Sequence, residues 1–282
     1  MKRGLATMTV MKHKTRPEKR HFGCITVALA LFWTIQAAAA PGDTVDDGLP
    51  AESPAAVKTS ARKAIQSGLA PQRVVEFTRA MLIYRFDENQ IQRAHALLID
   101  AQIDGTPEQP IIDKAFEGMA KKVRPVLIVG AMETVQARYS FAFDHATKFS
   151  ASQTSRTQNL GEALATALAA GLSQAHTDEI VEALRQRTRT MEPDPSYSLA
   201  LESFQTARDV SRLGVSSQAV TDLVTQGLSK GFSRDDMRAL HNSFLTEAQH
   251  TEPQNLARGY TAAMEEGKGF QGGSGTTGGQ SG

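Results

Sequence analysis

Gly214-Val215-Ser216-Ser217-Gln218-Ala219-Val220, followed 17 residues on by Gly231-Phe232-Ser233…Met237, decides the fold. Each stretch reads as a helix stop, an apolar residue, a capping hydroxyl and the first apolar position of a new helix. The phrase occurs earlier as Gly68-Leu69-Ala70…Val74 and, again 17 residues on, as Arg85-Phe86-Asp87…Ile91. Two matched pairs at the same step mean that one short helix with its punctuation is the repeating unit. Units of that size stack into an all-helical array.

The copies extend further. Ile103-Asp104-Gly105-Thr106-Pro107 pairs with His250-Thr251-Glu252-Pro253, and each opens a helix, marked by Ile111, Ala115 and Met119 in one and by Leu256, Tyr260 and Met264 in the other. Gly171-Leu172-Ser173 starts a divergent middle copy, with Thr177 in the apolar place. The sequence therefore predicts an all-α fold without β-sheet: short antiparallel helices in duplicated three-helix units, solenoid-like or compact. The Trp, Leu-Gly and Tyr spacing of tetratricopeptide repeats is absent.

Residues 1–39 read as a cleaved signal peptide. Lys2, Arg3, Lys12, Lys14, Arg16, Lys19 and Arg20 precede an apolar run from Cys24 to Ile35, and the alanines from Ala37 to Ala40 suit a peptidase. The run is too short to cross a bilayer comfortably, and translation starts at Met1 or Met11. Lys19-Arg20-His21-Phe22 is a degenerate twin-arginine sequence lacking one Arg, so general secretion is the expected route, to the periplasm or the exterior of a bacterium. Cys24 precedes the apolar run, which argues against a lipid anchor.

Of 31 Lys plus Arg and 30 Asp plus Glu, the first 40 residues hold seven and one, leaving 24 against 29. A mildly acidic mature chain is a poor partner for nucleic acid, which demands clustered positive charge. The sole Cys and the sole Trp also fall in that segment, so the mature chain has no thiol chemistry and no disulfide.

Within the mature chain, 40–55 reads as a disordered acidic, Pro-rich linker. Modules follow at 56–149 and 150–266, with breaks at Ser150 to Asn159 and Met191 to Pro195, and 267–282 as a flexible Gly/Ser-rich tail. Thr106, Ser173, Ser216 and Ser233 are expected N-caps. The longest helix is expected from Pro125 to about Lys148, burying Ile128, Met132, Val135, Tyr139, Ala142 and Ala146.

Candidate chemistry is sparse. Ser60-Ala61-Arg62-Lys63 has the Ser-x-x-Lys spacing without its companion motifs. His95, His145, His176, His241 and His250 have no metal-ligand spacing, so neither metal nor cofactor is expected. Leu199-Ala200-Leu201-Glu202-Ser203-Phe204 resembles the Glu-Ser motif of lytic transglycosylases. That resemblance implies a peptidoglycan-cutting enzyme with Glu202 as its acid and base; the downstream Gly-Leu-Met-Gln is missing, and the plain reading is an exposed helical residue. Tyr139, Phe141 and Phe143 cannot all face one side of a helix, so at least one is expected off the core stripe, where a ring anchors a partner. Lys114, Lys121, Lys122 and Arg124 form a local basic patch read as a solvated face. The expected function is a binding or scaffolding module for a protein or peptide of the cell envelope, without catalysis or a stable membrane span. The alternatives are the Glu202 hydrolase and an envelope chaperone or assembly factor.

Overall fold

The computed structural model describes residues 41–150 and 154–267. Among them are twelve helices and no strand: α1 (Pro41–Gly48), α2 (Ala55–Gln66), α3 (Pro71–Ile83), α4 (Glu88–Asp104), α5 (Gln109–Ala120), α6 (Pro125–Thr147), α7 (Thr154–Ala169), α8 (Gln174–Thr188), α9 (Pro193–Arg212), α10 (Ser217–Ser229), α11 (Arg234–Glu247) and α12 (Pro253–Glu265). The signal-peptide expectation and nearly all of the tail lie outside the described residues.

The recurring phrase is a helix C-terminus followed by a helix N-terminus. Gly68, Gly171, Gly214 and Gly231 adopt positive φ. The next amide reaches back over the turn in three of these cases, Leu69 to Ala64 O, Leu172 to Ala167 O and Phe232 to Gly227 O, closing the Schellman bond that uses up an orphaned carbonyl. Leu69, Leu172 and Val215 are buried beneath their turns, which is why an apolar residue follows each stop. Ser173, Ser216 and Ser233 then cap α8, α10 and α11 by accepting from His176, Ala219 and Asp236 amides. Arg85 takes the left-handed place at the end of α3, and Lys122 does the same at the end of α5. Lys122-Val123-Arg124…Ile128 is thus a further copy of the phrase, disguised by its charged residues.

Loops this short make consecutive helices antiparallel, so helices two apart run parallel and stack. Helices α2, α4, α6, α7, α9 and α11 form one continuous row, each packed on the next. Helices α1, α3 and α5 flank its first half, and α8, α10 and α12 its second. Side chains fix the register: Arg93 on Glu133 joins α4 to α6, Phe77 against Phe116 joins α3 to α5, and Ser217 Oγ accepts from the Ser173 amide between α10 and α8. The exception is α6 and α7, adjacent in sequence and in the row, where Tyr139 meets Glu162 and Thr157 meets Ser150. That antiparallel pair reverses helix direction along the row. Its close approach needs Gly161, since a methyl there would overlap the Phe143 ring.

The duplication is exact in places: the same offset of 146 residues separates Pro71 from Ser217 and Glu88 from Arg234, the first residues of α3 and α10 and of α4 and α11. The longest helix is α6, at 23 residues, and the six positions expected in its stripe are all buried.

Three local expectations need correction. Residues 41–48 form a helix and do not belong to a disordered linker, because Val45 and Leu49 are four apart and both enter the core. Thr106 is not a cap: it donates to Ala101 O, and α5 starts three residues later behind Glu108. The break expected across Ser150 to Asn159 is shorter, since Thr154 to Asn159 already belong to α7. The two modules belong to one compact unit.

Candidate functional site

Glu202 does not lie on an exposed face. It sits at the middle of α9, on the stripe packed against α11, and is 5% exposed. From α11, Arg238 places Nε and Nη2 on Glu202 Oε2 at 3.0 and 2.9 Å. His241, three residues on and so on the same helix face, approaches Oε1 through Nδ1 at 3.5 Å. The other ring nitrogen of His241 lies 3.2 Å from Asp209, two turns beyond Glu202 on α9. Asp209 is gripped by Arg208 through two bonds of 2.8 Å, with Arg212 Nη1 at 3.3 Å. A histidine between two carboxylates, braced by three guanidinium groups, ties α9 to α11.

Burial pushes the Glu202 carboxyl upward, but hydrogen bonds from His241 and Arg238 and their positive charges outweigh it and hold the pKa below the ordinary value. Asp209 behaves alike: burial raises it, and the bond to Arg208 with the charges of Arg208, His241 and Arg212 brings it down. A general acid for glycoside cleavage needs the opposite, a carboxyl kept protonated near neutrality. Glu202 is an ionised tie between helices.

The aromatic trio separates. Tyr139 and Phe143 are buried, with the Tyr139 hydroxyl donating to Glu162 at 3.0 Å, so neither is available as a surface anchor. Phe141 is half-buried and its ring lies 4.5 Å from that of His145. His145 in turn meets Asp178 of α8 at 3.1 Å.

Ser60 of the Ser-x-x-Lys sequence contacts a histidine. Its Oγ is 2.8 Å from His95 Nδ1, and Thr78 Oγ1 is 2.8 Å from Nε2. His95 is fully buried, and loss of solvation lowers its pKa to about 4. Held neutral between two hydroxyls, it links α2, α3 and α4 as a satisfied core group. The offset of 146 that relates the helices also relates His95 to His241. One copy surrounds the ring with hydroxyls and the other with carboxylates.

The concave surface lies elsewhere. Beside the α6–α7 pair, a cavity of about 510 Å³ is lined by residues including Asp104, Ser140, Asp144 and Thr147. A neighbouring one of about 480 Å³ is lined by residues including Gln102, Glu108, Gln158, Asn159 and Glu162. Gly105 and Phe143 border both, so the two form one polar groove along the place where helix direction reverses. Among the described residues, no three His, Cys, Asp or Glu side chains are placed to hold a metal ion.

Comparison with protein-family models, curated proteins and solved structures found no match. The site must therefore be read from its own chemistry. Asp209, Arg208, Arg212 and Arg238 escaped the sequence reading, and His241 was weighed there only as a metal ligand. Their signal was present, as two acids seven apart on one helix and Arg and His three apart on another. It becomes legible only once α9 and α11 are known to be neighbours.

Proposed function

We propose that this chain is an exported bacterial helical-repeat protein that binds a protein or peptide of the cell envelope and catalyses nothing. The observation that carries the reading is the groove beside α6 and α7. Its hydroxyl, amide and carboxylate side chains offer the donors and acceptors that an extended peptide backbone requires. The ionised, paired state of Glu202 supports the same reading over the hydrolase alternative.

A photoreactive residue placed at the exposed Gln158 tests it in the exporting cell. The expected result is a cross-link to one envelope protein that disappears when Asn159→Trp fills the groove. Release of muropeptides from purified peptidoglycan by the wild type, abolished by Glu202→Gln, would contradict it.

A further inference from the structure

Only two non-glycine residues among those described have positive φ, Arg85 at 63° and Lys122 at 55°, whereas six glycines occupy that region. A side chain in the left-handed conformation is strained, and glycine relieves it at no steric cost. Where the fold elsewhere ends a helix with Gly, it twice keeps a long cation. Strain retained at selected positions points to function at those positions.

The two cations adjoin one contact in sequence. Helices α3 and α5 stack in parallel, and the Tyr84 hydroxyl at the end of α3 donates to Val123 O in the turn after α5, at 3.1 Å. Arg85 follows Tyr84 directly, and Lys122 and Arg124 flank Val123. None of these three cations has an ion pair among the described residues. Within three residues of them along the chain are exposed aliphatic side chains: Ile83 at 76%, Val126 at 57% and Leu127 at 52%. Of the nearest carboxylates along the chain, Glu117 is paired with Lys114 and Lys121, while Asp87 caps α4 by accepting from the Gln90 amide and Glu88 accepts from Gln92, so neither of these two is given to Arg85. Helix α6 begins here with no acidic residue in its first turn and no side-chain cap, which adds to the positive potential.

We infer that this edge docks on an anionic phospholipid surface. Aliphatic side chains at the tips of turns protrude and can enter the boundary between headgroups and acyl chains, while arginine and lysine beside them meet phosphate oxygens. An acidic peptide would engage the cations alone and leave Ile83, Val126 and Leu127 in water, whereas a phospholipid surface takes up both. Such docking requires no spanning segment, and none of the described helices is long and apolar enough to cross a membrane.

The test uses residues 39–282, the compact unit, so that the N-terminal apolar run does not contribute. Flotation is measured with phosphatidylglycerol–phosphatidylcholine vesicles and with phosphatidylcholine vesicles alone. The wild type is expected to bind the former, less so as salt rises, and to leave the latter unbound. The pair Arg85→Gly and Lys122→Gly removes two cations and is expected to weaken binding roughly thirtyfold, while its melting temperature rises because the strain is gone. Loss of binding then cannot come from unfolding. Ile83→Ser with Leu127→Ser is expected to abolish flotation with the fold retained. The inference is overturned if the wild type ignores anionic vesicles, if the double glycine variant binds them as well as the wild type, or if these residues capture an acidic peptide and no vesicle.

Discussion

Arg85 and Lys122 show how a single residue can depart from the repeat and leave the helix ending intact. The Phe86 amide still closes on Met81 O and the Val123 amide on Gly118 O, so the turn geometry survives the strain. Each change to glycine is expected to raise stability by about 0.5–1 kcal/mol, the relief of left-handed strain less the extra freedom of the unfolded chain. Urea unfolding of the single variants measures this. His95 provides the pH-dependent counterpart. Its folded pKa of about 4 lies below the ordinary value of 6.5, so the unfolded chain takes up a proton first, and the stability it contributes is whole above pH 6.5 and drains away toward pH 4. Between pH 7 and 5 the loss is expected to be about 2 kcal/mol, and His95→Gln should remove that component. Glu202 and Asp209 do not confound the measurement. Their depressed pKa values place their losses below their ordinary values of 4.5 and 3.8.

At the scale of elements, two contacts decide whether neighbouring helices stay together. The α6–α7 pair closes on Gly161, and Gly161→Ala is expected to cost about 1–3 kcal/mol, as overpacking does, because the added methyl would overlap the Phe143 ring and force it to shift. Between α9 and α11 the tie is polar. Glu202→Gln is expected to destabilise by about 1–3 kcal/mol while leaving the fold in place, since a charge-assisted bond is lost and half-exposed Arg238 can turn to water. Adding Arg238→Gln should cost less than its separate effect, and that shortfall in a double-mutant cycle is the coupling across the interface. The readable part of these elements was their punctuation. Ser173, Ser216 and Ser233 cap helices because a hydroxyl before an apolar period has few other uses, and the α6 stripe follows from spacing alone. What could not be read was partnership. Nothing along the chain says that the face bearing Glu202 meets Arg238 and His241, and the Lys122 phrase was hidden because charged residues occupy its stop and cap.

For the whole molecule, the internal duplication and the short loops together produce the row of parallel helices, and the α6–α7 pair produces its change of direction. The row begins with more order than composition suggests. Residues 41–52 are rich in Asp and Pro, but Val45 is fully buried and Leu49 nearly so. Arg62 and Lys58 meet Asp46, and Arg79 donates to Gly48 O, which secures the segment from outside. Removing 41–52 is therefore expected to destabilise the body by about 2–5 kcal/mol, the usual effect of stripping aliphatic groups from a core. Thermal unfolding of the shortened chain measures it.

On either side of the α6–α7 junction, helices two apart in sequence stack side by side and in parallel. Residues 39–282 contain no cysteine, so introduced pairs report on it directly. Cysteines at Arg73 and Glu108, at Arg93 and Glu133, and at Lys230 and Glu265 each replace residues that touch between α3 and α5, α4 and α6, or α10 and α12. A short bismaleimide linker is expected to join all three pairs within one chain under native conditions and to lose that efficiency in urea. Native cross-linking no faster than in urea at these pairs would contradict the stacked arrangement.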